Sequence, residues 1–386
     1  MELDLRLISN ALGLPFPTSK QAGPVLISEA LPPPQLWTTL LEALSSHAPV
    51  AIADPGWPEA WNDRLLPLSS SGTGPRDILL PTSGSTSIPK WCRHTIASLS
   101  SAAHGFATLY AKELPHAVVV LPQHHVGGLM PVLRAAACEG SVYFADYRLP
   151  ENIHNAPFPL QQASMSLVPT QLKRLLQHPH GVPLLRRFGA IFVGGAACPG
   201  ELLETARREN IRLAPCYGAT ETAAMVTVLD PAAFLSGHNG VGQPLPHASI
   251  LLNEESRILI ESPALFKGYL GEPPRDECTA FATSDIGRWD QTGSLHVLKR
   301  SDRVLLSGGE LVHPEAVEAA ARECCPEAIP TCIGVEDPLW GQRVELVLSC
   351  PPHLPIQTAQ LLLDLKKRLP PAAVPKHIHL RSEHLK

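Results

Sequence analysis

Residues 81–90 read PTSGSTSIPK. Small hydroxyl residues and a glycine follow one another, and the run closes on Pro89 and Lys90. Ser/Gly clusters are ordinarily surface loops, because Gly supplies unusual backbone angles and Ser competes for backbone hydrogen bonds. The other reading is a phosphate cradle. Backbone N–H groups exposed at Gly84, the hydroxyls of Thr82, Ser83, Ser85 and Thr86, and the Lys90 ammonium would surround a polyphosphate, with Pro89 fixing the exit of the loop. This stretch alone leaves both readings open, and the rest of the chain decides.

The chain has 386 residues, 44% hydrophobic and 17% charged, a globular composition with room for two or three domains. A net charge of −5 and the lack of a basic block argue against a nucleic-acid partner. Lys366, Lys367 and Arg368 read as a solvated helix face. No apolar run is long enough to span a bilayer, and MELDLRLISNALG is not a secretory signal. Nine cysteines without a C-x-x-C pair argue against a zinc site and fit a reducing cytoplasm. No interface is readable, so oligomeric state stays open.

From residue 79 onward, apolar strands alternate with helical patterns. DILL runs into the Ser/Gly loop, a helix is expected from about Thr95, as its cap, to Lys112, and further strands are expected at 117–122, 141–146, 164–169, 190–195 and 211–218. Such alternation predicts an α/β fold with a parallel sheet covered by helices. After about residue 227, ASILLN, RILIES and SLHVLKR lack helices between them and predict a small β-rich subdomain. The last 85 or so residues read helix, strand, strand, helix, a compact α+β module.

A Walker-type loop needs Gly before its Lys and Ser or Thr after it, whereas here Pro89 precedes Lys90 and Trp91 follows. No dinucleotide fingerprint opens a helix after an early strand. TSGSTSIPK instead resembles the phosphate loop of the adenylate-forming superfamily, which includes acyl-CoA synthetases, peptide-synthetase adenylation domains and firefly luciferase. Ser87 departs from the usual Gly. QHHVGGL (123–129), GGAACPGELLE (194–204), YGATE (217–221) and the stretch 283–318 resemble further motifs of that superfamily, in the family's order.

The resemblance implies a large N-terminal core, 1–301, with a reduced region 1–75 and a β-rich subdomain at about 228–300, and a small mobile C-terminal domain, 302–386. It implies ATP, Mg²⁺ and the co-substrate CoA. Thr82 to Lys90 would hold the β and γ phosphates, Thr220 the α phosphate, and Glu221 the Mg²⁺ ion. Tyr217 would stack on adenine beside Gly194, Gly195, Ala196 and Gly218, Asp285 would bind the ribose hydroxyls, and Arg300 would add a cation. Tyr217 as a core aromatic and Asp285 as a turn residue are the plainer alternatives. His125 matches the family's active-site histidine, although His124 beside it leaves the assignment ambiguous. Asp302 would be the hinge, with Ser307, Gly308, Gly309 and Glu310 forming the turn that serves the CoA step.

SLVPTQLKRLL (166–176) and LLSGGELVHPEAVE (305–318) resemble the o-succinylbenzoate–CoA ligases of menaquinone and phylloquinone synthesis. A dicarboxylate needs a polar end to its pocket, and His125, Thr170 and Gln171 are the candidates, together with Gly218. Thr170 and Gln171 could instead simply start a helix, Thr170 as its cap. VPKHIHLRSEHLK (374–386) resembles the segment just before the family's adenylation Gly-Lys, and neither Lys376 nor Lys386 matches that lysine. The expectation is slow acyl-AMP formation with thioester formation retained. Another aryl- or acyl-CoA ligase, a carrier-protein-loading enzyme and a non-catalytic nucleotide-binding homologue are the alternatives.

Overall fold

A computed structural model describes residues 25–28, 33–45, 48–53, 74, 76–82, 90–300, 305–307, 310–337, 341–351 and 354–382. The chain divides into two compact units: Met1–Thr283 with Gly287–Val297, and Ser284–Ile286 with Leu298–Lys386. The expected boundary at 301/302 falls on residues outside the described set.

In the first unit, strands β1 (Val25–Ser28), β2 (Val50–Ala53), β3 (Ile78–Pro81) and β4 (Trp91–His94) form one sheet in chain order. β1 to β3 are parallel, and β4 returns antiparallel to β3 with Pro81 opposite Trp91. A second sheet holds β5 (His116–Val119), β6 (Val142–Phe144), β7 (Ala163–Leu167), β8 (Ala190–Val193), β9 (Leu213–Ala219), β10 (Ala224–Val228) and β11 (Gln243–Pro244), in the order β11-β10-β9-β8-β7-β5-β6. The helix-covered parallel arrangement expected from the alternation is spread over these two sheets. The second is parallel only from β6 to β9, because the turn after β9 is too short for a crossover and sends β10 back antiparallel.

The helices Ile96–Tyr110 and Val126–Ala137 share a core with both sheets. Leu99, Ala102, Leu129 and Leu133 pack in one cluster with Val50 and Ile52 of the first sheet and Ala117 and Val119 of the second. A second cluster holds Leu172, Leu175 and Ala206 from the helices Pro169–Gln177 and Gly200–Arg208. The first of these four helices starts where the sequence predicts. Thr95 accepts the Ser98 N–H at 3.0 Å, and the Ser98 hydroxyl accepts the Thr95 N–H in return.

β12 (Ser249–Leu252), β13 (Arg257–Glu261), β14 (Phe281–Trp289) and β15 (Leu295–Arg300) form the expected small β sheet, with β14 a strand the sequence reading did not mark. The second unit carries β16 (Leu305–Ser307), β17 (Glu310–Val312), β18 (Ile329–Asp337), β19 (Gly341–Cys350) and β20 (His377–Ser382). Its helices Pro314–Cys324 and Thr358–Lys366 pack on this sheet through Val317, Ala321, Leu361 and Leu365. Among the described residues, no helix is long and apolar enough to cross a membrane.

Candidate active site

β3 and β4 flank the Ser/Gly motif. Thr82 donates its N–H to the Lys90 carbonyl at 2.8 Å, so the two ends of the motif are held together. Ser83, Gly84, Ser85 and Thr86 lie outside the described residues. Lys90 is 58% exposed; its Nζ is 3.5 Å from Glu272 and 4.7 Å from the centre of the Tyr269 ring.

The segment that brings Tyr269 here runs alongside β4 as an extra strand. Arg93 N–H donates to the Gly268 carbonyl, Lys267 N–H to the Arg93 carbonyl and Leu270 N–H to the Trp91 carbonyl, placing Cys92 opposite Tyr269. Gly268 adopts φ +130°, a conformation open to glycine and strained for other residues. The Tyr269 hydroxyl donates to Glu221 Oε1 at 2.7 Å. Burial, and then that hydrogen bond, raise the Tyr269 pKa. Burial and the Glu221 carboxylate together hold the Cys92 thiol protonated.

Glu221 sits in the tight turn between β9 and β10. Its carbonyl accepts the Phe266 N–H at 2.9 Å, and the Thr220 carbonyl accepts from His94 Nε2 at 2.7 Å. The Thr222 hydroxyl closes the turn, accepting the Ala219 N–H at 2.9 Å and donating to the Ala224 carbonyl at 2.6 Å. Ala223 and Ala224 both adopt left-handed backbone conformations, at φ 52° and 73°. Such angles are strained for a residue with a side chain, so the surrounding hydrogen bonds hold the turn against local preference.

Tyr217 is half-buried and packs against the cluster of Val226, Ile250 and Leu295, so its core-aromatic alternative holds for part of its surface. Gly218 is required by close packing: a Cβ there would lie 1.9 Å from the Ala224 carbonyl oxygen. Gly194 faces Cys216, and a Cβ would meet Sγ at 2.9 Å. Gly195 takes φ +79°, and Ala196 continues the exposed loop after β8. A buried aspartate anchors the base of β3: Asp77 is 0% exposed, 3.2 Å from Arg93 Nε and 3.6 Å from Lys267 Nζ.

His125 is exposed and N-caps the helix Val126–Ala137, whereas His124 is buried, with the two rings 4.1 Å apart. That separates the two histidines the sequence left ambiguous. The helix after β7 starts at Pro169 with Val168 as its N-cap, so Thr170 is not the cap. Buried Gln171, the third residue of the helix, accepts the Val168 N–H at 3.2 Å, while Thr170 is exposed. Arg174, one turn beyond Thr170, donates to the Tyr147 hydroxyl at 2.7 Å.

In the second unit, Asp285 and Arg300 form an ion pair at 3.9 Å. Ser307 is buried and ends β16. Asp302, Gly308 and Gly309 lie outside the described residues, as does Lys386, and the backbone of Glu310 opens β17. Among the described residues, no three His, Cys, Asp or Glu side chains are grouped to hold a metal ion. Glu221 alone suits Mg²⁺ in the manner of sites completed by substrate phosphate and water. Sequence reasoning did not find Tyr269, His94 or Glu272. The available signal for Tyr269 was its place between Gly268 and Gly271 in a turn-rich stretch.

These strands, turns and charges define an α/β nucleotide-binding enzyme fold. The AMP-binding enzyme pattern matches residues 22–270, and the chain belongs to that family. The 2-succinylbenzoate–CoA ligase of Bacillus licheniformis is 28% identical over 315 residues, 78% of this chain and 65% of the relative. That of Lactococcus lactis is 29% identical over 310 residues, 75% of this chain and 65% of the relative. The chain thus spans about two thirds of the length of these relatives, 65% in both cases. The o-succinylbenzoate CoA synthetase of Bacillus subtilis, solved with its acyl-adenylate intermediate, superposes with a TM-score of 0.78 at 19% identity, covering 98% of this chain and 88% of that one. ATP-bound MatB of Rhodopseudomonas palustris superposes with a TM-score of 0.76 at 19% identity, covering 98% and 88%. The fold is that of the adenylate-forming enzymes.

Proposed function

We propose that the chain is an AMP-forming acid–CoA ligase acting on 2-succinylbenzoate, in menaquinone or phylloquinone synthesis. The carboxylate would attack the α phosphorus of ATP, giving acyl-AMP and pyrophosphate; the CoA thiol would then displace AMP to give the acyl-CoA. One observation carries the nucleotide reading: Lys90 and Glu221, the cation and the carboxylate such a site needs, both contact Tyr269.

Little covalent work falls to the protein in this chemistry, so the residues act by position and charge. Lys90, with Thr82, Ser83, Gly84, Ser85 and Thr86, holds the terminal phosphates. Thr220 would contact the α phosphate, and Glu221 would hold Mg²⁺, which would supply positive charge against the phosphates. Tyr217, Gly194, Gly195, Ala196 and Gly218 receive the adenine, and Asp285 and Arg300 the ribose. His125 and Thr170 face the acid, and Arg174 on the same helix is a cation suited to the second carboxylate. The second unit serves as the mobile domain, hinged at Asp302, with Ser307, Gly308 and Gly309 serving the CoA step. The names of the relatives support the substrate, and nine free cysteines support a cytoplasmic setting.

The test is pyrophosphate release and acyl-CoA formation over a panel of acids. 2-Succinylbenzoate should exceed benzoate by at least about tenfold, roughly 1.4 kcal/mol, because benzoate lacks the second carboxylate that a cation in the acid pocket would bind. Equal rates with benzoate or a fatty acid would move the reading to another acyl-CoA ligase. Transfer only to a phosphopantetheine protein would make the chain a carrier-loading enzyme, and ATP binding without turnover of any acid would make it a nucleotide-binding homologue.

A further inference from the structure

We propose that Tyr269 is a positioning residue of the nucleotide site: its hydroxyl sets the Glu221 carboxylate while its ring carries Lys90, joining the two charges through one side chain. The inference rests on the reading of Glu221 as the carboxylate of an ATP site. Three observations carry it. The hydroxyl donates to Glu221 Oε1 at 2.7 Å, so that one oxygen is occupied and the carboxylate is held in a defined orientation. Lys90 Nζ lies 4.7 Å from the ring centre, within the range of a cation–π contact. Ring and backbone of Tyr269 are both held. Phe266 meets it edge-on at 4.9 Å, and the backbone of Lys267 to Leu270 is hydrogen-bonded along β4.

The consequence for the chemistry is specific. A carboxylate in a half-buried turn has several rotamers, and only some aim an oxygen at the phosphates. Removing the Tyr269 hydroxyl releases that choice without removing the charge of Glu221. The loss should therefore appear in the Mg²⁺ requirement for nucleotide binding. Lys90 keeps its ring in Tyr269→Phe, so nucleotide affinity at saturating Mg²⁺ should stay near wild type. Tyr269→Leu removes both contacts and should weaken binding at all Mg²⁺ concentrations.

The experiment is calorimetric ATP binding across a Mg²⁺ series for the wild type, Tyr269→Phe, Tyr269→Leu, Glu221→Ala and Tyr269→Phe/Glu221→Ala. Tyr269→Phe should need about tenfold more Mg²⁺ for half-saturation, the scale of one hydrogen bond to a charged group. The same substitution should change nothing further in the Glu221→Ala background. An unchanged Mg²⁺ requirement in Tyr269→Phe, or an equal effect with and without Glu221, would overturn the proposal. The wild type, Tyr269→Phe, Glu221→Ala and the double variant are also unfolded in urea without ligand, where the two substitutions should be non-additive if the residues are coupled. If the wild type binds no ATP, the nucleotide reading fails by itself. The urea cycle still judges the pair, and additive midpoints there would overturn it.

Discussion

The imidazole Nε2 of His94 donates to the backbone carbonyl of Thr220 at 2.7 Å, tying the strand that leaves the Ser/Gly motif to the turn that carries Glu221. The donated proton fixes the tautomer, and Nδ1 is then the acceptor 3.0 Å from the Ser98 hydroxyl. Burial lowers the His94 pKa to about 4 from its ordinary value of 6.5, against the raising effect of the Thr220 bond.

That shift has a sign for stability. The unfolded chain binds this proton at higher pH than the folded one, so stability rises with pH between the two values. His247 behaves alike: burial, and then the Arg134 charge, bring its pKa to about 4. Stability should be fully present above about pH 6.5 and fall toward pH 4, with a slope approaching two protons from these two groups. Urea midpoints measured across that window check it, and His94→Gln should remove about one proton from the slope.

Lys90→Ala should weaken ATP binding, and Glu221→Ala should raise the Mg²⁺ requirement. Lys90→Ala should cost little stability, because the Lys90–Glu272 pair is more than half exposed on both sides, whereas Glu221→Ala loses the Tyr269 hydrogen bond and should cost about 1–3 kcal/mol. Calorimetry and thermal melts read the two effects separately. Unchanged ATP affinity in both variants would remove the assignment.

Gly218→Ala should destabilise the protein by about 1–3 kcal/mol, the range for overpacking a filled site. Its new methyl would fall 1.9 Å from the Ala224 carbonyl oxygen, and that atom is backbone and cannot swing away. Gly200→Ala, where nothing lies within 4 Å, is the matched control and should be near neutral. Urea unfolding of the two variants checks the contrast.

Arg93→Met should cost more than Asp77→Asn. Asp77 is wholly buried and also accepts the Gly74 N–H at 2.7 Å. Removing Arg93 leaves a buried carboxylate with Lys267 as its remaining cation, and stranding a buried charge typically costs about 3–5 kcal/mol. Asp77→Asn leaves Arg93, itself buried, and the more exposed Lys267 without a counter-charge, but the amide oxygen can still accept from Arg93 and Gly74, so less is lost. Equilibrium unfolding with each variant decides the order.

Local signals carried much of this fold. Thr95 before a helical pattern, and the apolar runs of β2, β5, β7 and β8, are short-range features that the chain obeys. Features set at long range were not legible. β10 is not marked by the strand–helix alternation, and its reversal depends on the turn before it. β16 and β17 have three residues each and no usable period. Thr170 looks like a cap in sequence, but Pro169 takes the first helical position and moves the cap to Val168. The site divides the same way. Lys90 and Glu221 stand out in their motifs, whereas Tyr269, 48 residues beyond Glu221, reaches them only through pairing with β4.

The left-handed pair Ala223–Ala224 carries a consequence for the order in which the chain assembles. Two successive alanines at φ 52° and 73° are locally frustrated: no short-range preference favours them, so this turn cannot nucleate structure. Its shape is imposed from outside, by the pairing of β9 with β10 and by the Thr222 hydroxyl. The strands must therefore associate first, and the Glu221 carboxylate takes its place late. A chain that has formed its sheets is not yet a chain that can hold a nucleotide, and in pulsed hydrogen exchange the amide of Ala223 should gain protection after those of β8 and β9.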